Sequence, residues 1–141
     1  VTSIGYYAFS GCHTLEYVNI PNSVTSIDGA MFWGCASLLS VTIPNGVTLN
    51  SNSLCYDCPS LTTITFPESI DAFYPSYVYQ CPSLTAIYIK ATTPPWCGMD
   101  KFYGCDSLSK IYVPASSVNA YKNASGWKNH ADIIEGYDFS N

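Results

Sequence analysis

Arginine is absent and charge of either sign is scarce: only 11% of the 141 residues are charged, and the 5 basic ones are all lysines. Set against 10 acids, they leave a formal charge of −5. Binding to nucleic-acid phosphates needs a basic stripe, and no two lysines lie closer in sequence than Lys122 and Lys128. Nucleic acids and anionic membrane surfaces are therefore excluded as partners. Long hydrophobic runs are missing too. No apolar stretch approaches the roughly 18 residues of a spanning helix, and Val1 to Gly5 hold no basic segment leading into an apolar run, so neither membrane insertion nor a signal peptide is expected. Glycine and proline are modest at 9 each, while 48% of residues are hydrophobic and 15% aromatic. That composition rules out a low-complexity or disordered chain and fits one folded domain with a sizeable core. There is no G-x-S-x-G, no glycine-rich phosphate loop after a strand and no paired carboxylates, so no enzyme activity, catalytic residue or cofactor is expected. An opening residue of Val1 in place of methionine suggests a piece of a longer parent.

What the chain does have is cysteine, 7 in all. Counted alone, they would suggest a disulfide scaffold or a metal site. Their spacing points elsewhere. Cys12, Cys35, Cys58 and Cys81 stand 23 residues apart, and Cys105 follows after 24. Three residues after each comes a leucine (Leu15, Leu38, Leu61, Leu84, Leu108). Six after come Val18, Val41, Ile64, Ile87 and Ile111, and eight after come Ile20, Ile43, Phe66, Ile89 and Val113. Upstream, Phe9, Phe32, Cys55, Val78 and Phe102 form another column, and Ile4, Ile27, Asn50, Phe73 and Cys97 a further one. One such unit cannot bury its apolar residues alone, whereas stacked units bury every column continuously.

The cadence Leu-x-x-Val-x-Ile, with its period-2 ending, reads as a short parallel strand of a leucine-rich repeat. The expected fold is a right-handed leucine-rich repeat solenoid with a curved parallel sheet and short convex turns or helices. About five coils of 23 residues fill 1–114, and 115–141 form a helical C-terminal cap of the same domain. In that cap Ser116 or Ser117 is the candidate N-cap, and Val118, Tyr121 and Trp127 cover the last coil. Asn50 in an apolar column predicts a bulge in the third coil. The extra residue of the fifth coil, in 90–94, predicts a protruding connection. The first coil has no cap before Val1, and self-association through that end is expected.

The blocks VTSIGYYAFSGCHTLEYVNIP and VTSIDGAMFWGCASLLSVTIP resemble the BspA-type bacterial leucine-rich repeats, and the likeness runs from Val1 to Pro114. The resemblance implies a secreted or surface-attached bacterial protein used for adhesion or protein binding and not for catalysis. One feature departs from leucine-rich repeats in general: Ser23, Gly46 and Ser69 stand where the usual asparagine would be. The backbone ladder that asparagine makes must be satisfied another way.

Parallel strands about 4.8 Å apart hold their Cβ atoms beyond the roughly 3.5–4.5 Å of a disulfide. The cysteines are therefore expected to remain free and to pack as small hydrophobes. Cys55 and Cys58 resemble half of a zinc knuckle but lack a second pair. His13 shares its column with Ala36, Pro59, Pro82 and Asp106, which reads as a solvated turn. No metal site is expected.

Two surfaces remain. Strand alternation turns Tyr17, Asn19, Ser40, Thr42, Thr63, Thr65, Ala86, Tyr88, Lys110 and Tyr112 outward onto the concave face. Solenoids commonly bind partners there, and Tyr88, Lys110 and Tyr112 are the expected centre for a protein ligand, a host matrix or bacterial surface protein. The column Ser10, Trp33, Tyr56, Tyr79 and Tyr103 lines a flank. Trp33, Tyr56, Tyr79 and Tyr103 are the alternative candidates, stacking on glycans, although neighbouring rings also stabilise each other. A third option is a spacer in a longer surface protein.

Overall fold

The computed structural model describes residues 1–51, 53–98 and 101–140. Its principal element is a parallel sheet on the concave side, built from β1 (Ser40–Thr42), β2 (Thr63–Phe66), β3 (Ala86–Ile89), β4 (Lys110–Pro114) and β5 (Ile134–Tyr137), adjacent in that order. The registers follow the sequence columns: Val41 pairs with Ile64, Ile64 with Ile87, and Ile87 with Ile111. All four are buried. Two-residue strands stack along the other sides of the coils, with Phe32, Cys55 and Val78 in one ladder and Ser3, Ser26 and Thr48 in another.

Two expectations about the sheet change. The first coil contributes no strand at 16–20. The tail, expected as a helical cap, does hold helix α1 (Val118–Asn123) and a 3-10 segment (Trp127–Ile133), but it continues into β5 and extends the sheet. Ile134 lies in register with Ile111, so the tail supplies the strand of a further coil.

The cap itself closes the core. Tyr121 and Trp127 are fully buried. Tyr121 donates its hydroxyl to Ala91 O at 2.6 Å and Trp127 its indole N–H to Pro95 O at 2.8 Å. These bonds hold the 90–94 connection down. Thr92 and Thr93 are exposed, yet Ala91 is buried, so the connection does not simply protrude. Ser117 occupies the N-cap without capping, because its hydroxyl donates to Thr92 O at 2.7 Å. The opposite end differs: Ile4, Phe9, Cys12, Leu15 and Val18 are only partly buried.

The third coil is offset by one residue. Ile27 pairs with Leu49 and not with Asn50. A one-step shift lets leucine take the apolar position and leaves Asn50 exposed, donating its amide to Asp28 Oδ1 at 3.0 Å. By Phe32 and Cys55 the 23-residue register has returned.

Cysteine replaces the missing asparagine ladder. The thiols of Cys35 and Cys58 donate to Phe9 O at 3.0 Å and Phe32 O at 2.9 Å in the preceding coil. Cys81 and Cys105 reach Cys55 O and Val78 O at 3.9 and 3.7 Å. All seven cysteines are free. A hydroxyl ladder runs beside the sheet, where Thr62 donates to Leu39 O, Thr85 to Thr62 O and Ser109 to Thr85 O.

The residue before each of the five repeating cysteines turns the chain in left-handed backbone, with φ of 71° at Gly11, 68° at Gly34, 57° at Asp57, 53° at Gln80 and 71° at Gly104. Side chains at such a φ cost about 1–2 kcal/mol, partly offset because glycine loosens the unfolded chain. Gln80→Gly is expected to raise stability by about 0.5 kcal/mol. Gly104→Ala should lower it by about 2 kcal/mol, since the added Cβ would also meet Gln80 Cα at 2.7 Å. Urea titration of both variants checks the signs.

Candidate binding surfaces

The C-terminal half of the concave face is aromatic. In β3 and β4, Tyr88 and Tyr112 occupy matched positions of the parallel register. Their rings stack with centroids 4.8 Å apart. The tail adds Tyr137, edge-on to Tyr88 at 5.1 Å and 5.5 Å from Tyr112, and Phe139, 4.8 Å from Tyr137. Burial against these rings pushes the Tyr88 phenol above its ordinary pKa. Beside the cluster, Lys110 Nζ lies 2.6 Å from Glu135 Oε2. That hydrogen bond, with the carboxylate's charge, raises the Lys110 pKa. The pair is exposed to water, so its role is to hold the ammonium in place more than to stabilise the fold.

Of the residues expected on this face, Tyr88, Lys110 and Tyr112 come together. Glu135, Tyr137 and Phe139 join them without having been anticipated. The signal available was the 23-residue step from Ile111 to Ile134, which places the tail in register. Ala86 is the exception to the outward set: it is buried, because Thr63 and Lys110 flank its methyl in the register.

The middle of the face is a hydroxyl field of Ser40, Thr42, Thr63 and Thr65 along β1 and β2. At the N-terminal end, Tyr17 is 64% exposed. There a groove of about 860 Å³ runs between 17–22 and 42–45, with Asn19 and Thr42 in its walls and Lys90 at one side.

On the flank, Trp33 and Tyr56 stack at 4.3 Å and Tyr56 and Tyr79 at 4.8 Å. Tyr103 follows at 6.1 Å, tilted by 45°, and Tyr7 extends the row on the other side at 5.8 Å from Trp33. Tyr7 takes up the row where the sequence column holds Ser10. The central faces are turned toward one another, which leaves mostly ring edges outward. Contacts of this kind contribute about 0.5–1.5 kcal/mol each.

Elsewhere the residues with chemical potential have structural surroundings. Cys55 and Cys58 are buried, and His13 is exposed, with its carbonyl accepting from Ser37. His130 packs edge-on against Phe102 at 5.0 Å, and burial lowers its pKa. Among the described residues no group of three His, Cys, Asp or Glu side chains is placed to hold a metal, and no helix is long and apolar enough to cross a membrane.

Parallel strands repeating every coil, continuous apolar columns and a ladder of inward thiols define a leucine-rich repeat solenoid whose notable features are exposed surfaces. The chain belongs to the BspA-type leucine-rich repeat family, whose pattern matches residues 2–130 in 6 copies. Among solved structures it is similar to a leucine-rich cell surface protein from Faecalibacterium prausnitzii, with 26% identity and a TM-score of 0.52. The match covers 86% of this chain but 31% of that one, so the chain spans under a third of its neighbour's length. No curated protein matches the chain significantly.

Proposed function

We propose that the chain is a non-catalytic, extracellular protein-binding module of a bacterial surface or secreted protein, and that it recognises its partner through the concave sheet face. The observation that carries this reading is the cluster of Tyr88, Tyr112, Tyr137 and Phe139 beside the Lys110–Glu135 pair. Tyrosine offers large, rigid contact area with a polar tip, and such residues dominate the energetics of protein interfaces. The family, and a neighbour described as a cell surface protein, support the placement outside the cell.

The test is binding of the purified chain to arrays of matrix proteins and glycans beside a Tyr88→Ala, Lys110→Ala, Tyr112→Ala triple variant. A protein hit weakened at least about 30-fold in the variant is expected, corresponding to about 2 kcal/mol for a hot spot. Binding that survives the triple substitution overturns the site.

A second reading, carbohydrate binding at the flank, draws on the exposure of Trp33 at 40% and Tyr103 at 57%. It predicts glycan hits lost on alanine substitution at Trp33, Tyr56 or Tyr79 and retained in the concave variant. Against it stands the geometry of the stack: sugar stacking needs free ring faces, and the central rings turn theirs to each other. A spacer would bind neither class.

A further inference from the structure

The edge of β1 that faces the first coil is left with unmet backbone groups. Ser40 pairs with Thr63 and Thr42 with Thr65 in the register of β1 on β2. Ile43 donates its N–H to Thr65 O at 2.9 Å. In a parallel pair, successive residues of a strand direct their backbone groups to opposite sides. With Ile43 turned to β2, the N–H and C=O of Ser40 and Thr42 point toward the first coil.

The first coil does not meet them. It is tied to the second by Phe9 N–H to Met31 O at 3.0 Å, Gly11 N–H to Trp33 O at 2.7 Å and Leu39 N–H to Glu16 O at 2.9 Å. Yet among the described residues no backbone hydrogen bond joins 17–20 to β1. The opening is therefore local, bounded by pairing that reaches Glu16 and stops. The groove of about 860 Å³ lies along this gap, within the roughly 300–1,000 Å³ of ligand sites. Its polar walls include Asn19, Asn22, Thr42 and Asn45, and Lys90 stands at its side. Lys90 forms no ion pair among the described residues, where the Lys110–Glu135 bridge accounts for another lysine.

We propose that this groove takes an extended segment of a partner polypeptide, added as a strand along β1, with a carboxylate of that segment at Lys90. The inference rests on the reading that the concave side binds protein and specifies how part of that partner is held. Donor and acceptor repeating on one side of alternate residues is the pattern another strand satisfies, its backbone giving affinity and its alternate side chains specificity. Sugar hydroxyls carry no such fixed alternation. Lys90 is the one charged side chain lining the groove, with no acid among its walls, and this local charge favours an acidic segment over a basic one.

The test uses the full ¹⁵N-labelled chain and a synthetic octapeptide of alternating Thr and Val ending in two Glu, with a Gln-Gln counterpart. Saturable binding is expected, with amide shifts centred on Ser40, Thr42 and 17–20, and with the acidic peptide preferred. Thr42→Pro removes the unmet N–H without removing a bond to β2, and should weaken binding about tenfold, more than Thr42→Val, which alters the side chain but keeps the N–H. Lys90→Gln should abolish the preference for the acidic peptide. Should Thr42→Pro disturb the fold by circular dichroism, protection of the Thr42 amide from exchange on peptide addition gives the same answer.

Unchanged affinity in Thr42→Pro, shifts centred on Tyr88 and Tyr112, or displacement of the peptide by a neutral oligosaccharide would each overturn the proposal. Matrix-protein binding that is lost in the Tyr88, Lys110 and Tyr112 triple variant but kept in Thr42→Pro would overturn it while leaving the concave-face reading in place.

Discussion

Alanine at Trp127 is expected to lower the free energy of unfolding by about 3–5 kcal/mol, the range for truncating a large buried aromatic. The side chain is fully buried. Its ring lies 5.1 Å from Tyr121 and 5.0 Å from Phe73, and its N–H is bonded to Pro95 O. Truncation therefore removes packing on two sides, opens a cavity and leaves a carbonyl without its donor. Position magnifies the effect. In a solenoid each coil is stabilised mainly by its neighbours, so loss of the cap's anchor also loosens the coil packed against it. With a urea slope of about 2 kcal/mol/M, the midpoint should fall by roughly 1.5–2.5 M. Trp33→Ala is the comparison, because that ring is 40% exposed and stacks on one flank. Its two ring contacts, with Tyr56 and Tyr7, set an expected cost of about 1–3 kcal/mol. Equal losses at the two tryptophans would contradict the assignment of Trp127 as the anchor of the cap.

The stacked columns were legible because burial enforces them directly. Val41, Ile64, Ile87 and Ile111 recur every 23 or 24 residues and lie in register as their columns require. What escaped reading depended on competition between local rules. At Leu49 and Asn50 the column count favoured the asparagine, but burying leucine and solvating an amide outweighs one residue of offset. At Ser117 a local cap competed with a bond to Thr92 across the coil boundary, and the longer-range partner won. Ile134 kept the period, yet no cysteine or leucine preceded it in the tail, so a strand there looked like part of a helical cap. Glu135, Tyr137 and Phe139 could join the concave face only once the register of β5 was fixed. The open edge of β1 had no sequence signal, because 17–20 carry the same alternation as the coils that do pair.

Ionisation of the buried thiols should be costly. Burial pushes Cys97 up to about 12 from the ordinary 9.0. Cys81, with opposing hydrogen-bond effects from Cys105 and Cys58 and a further rise from burial, also stands at about 12. The folded state thus holds these protons more tightly than the unfolded chain. By linkage the stabilisation is fully present below pH 9 and is lost as the pH rises through 9 to 12. Stability should therefore be flat from about pH 7.5 to 8.5 and fall steeply above 9. Tyrosines and lysines titrate in the same window, so Cys97→Val is the control: its alkaline loss should be smaller than that of the parent. Reactivity follows the same physics, since the thiolate is the nucleophile. At pH 8 Cys12, the one half-buried thiol, should react rapidly with Ellman's reagent, while the buried six wait on opening of the coils. Six thiols reacting as fast as Cys12 in the native state would contradict a closed ladder. The reason for the cost lies in the direction of the bonds. Cys35 and Cys58 donate S–H to carbonyls at 3.0 and 2.9 Å, and a thiolate there could no longer donate. It would set a negative sulfur against a carbonyl oxygen in an environment that solvates neither.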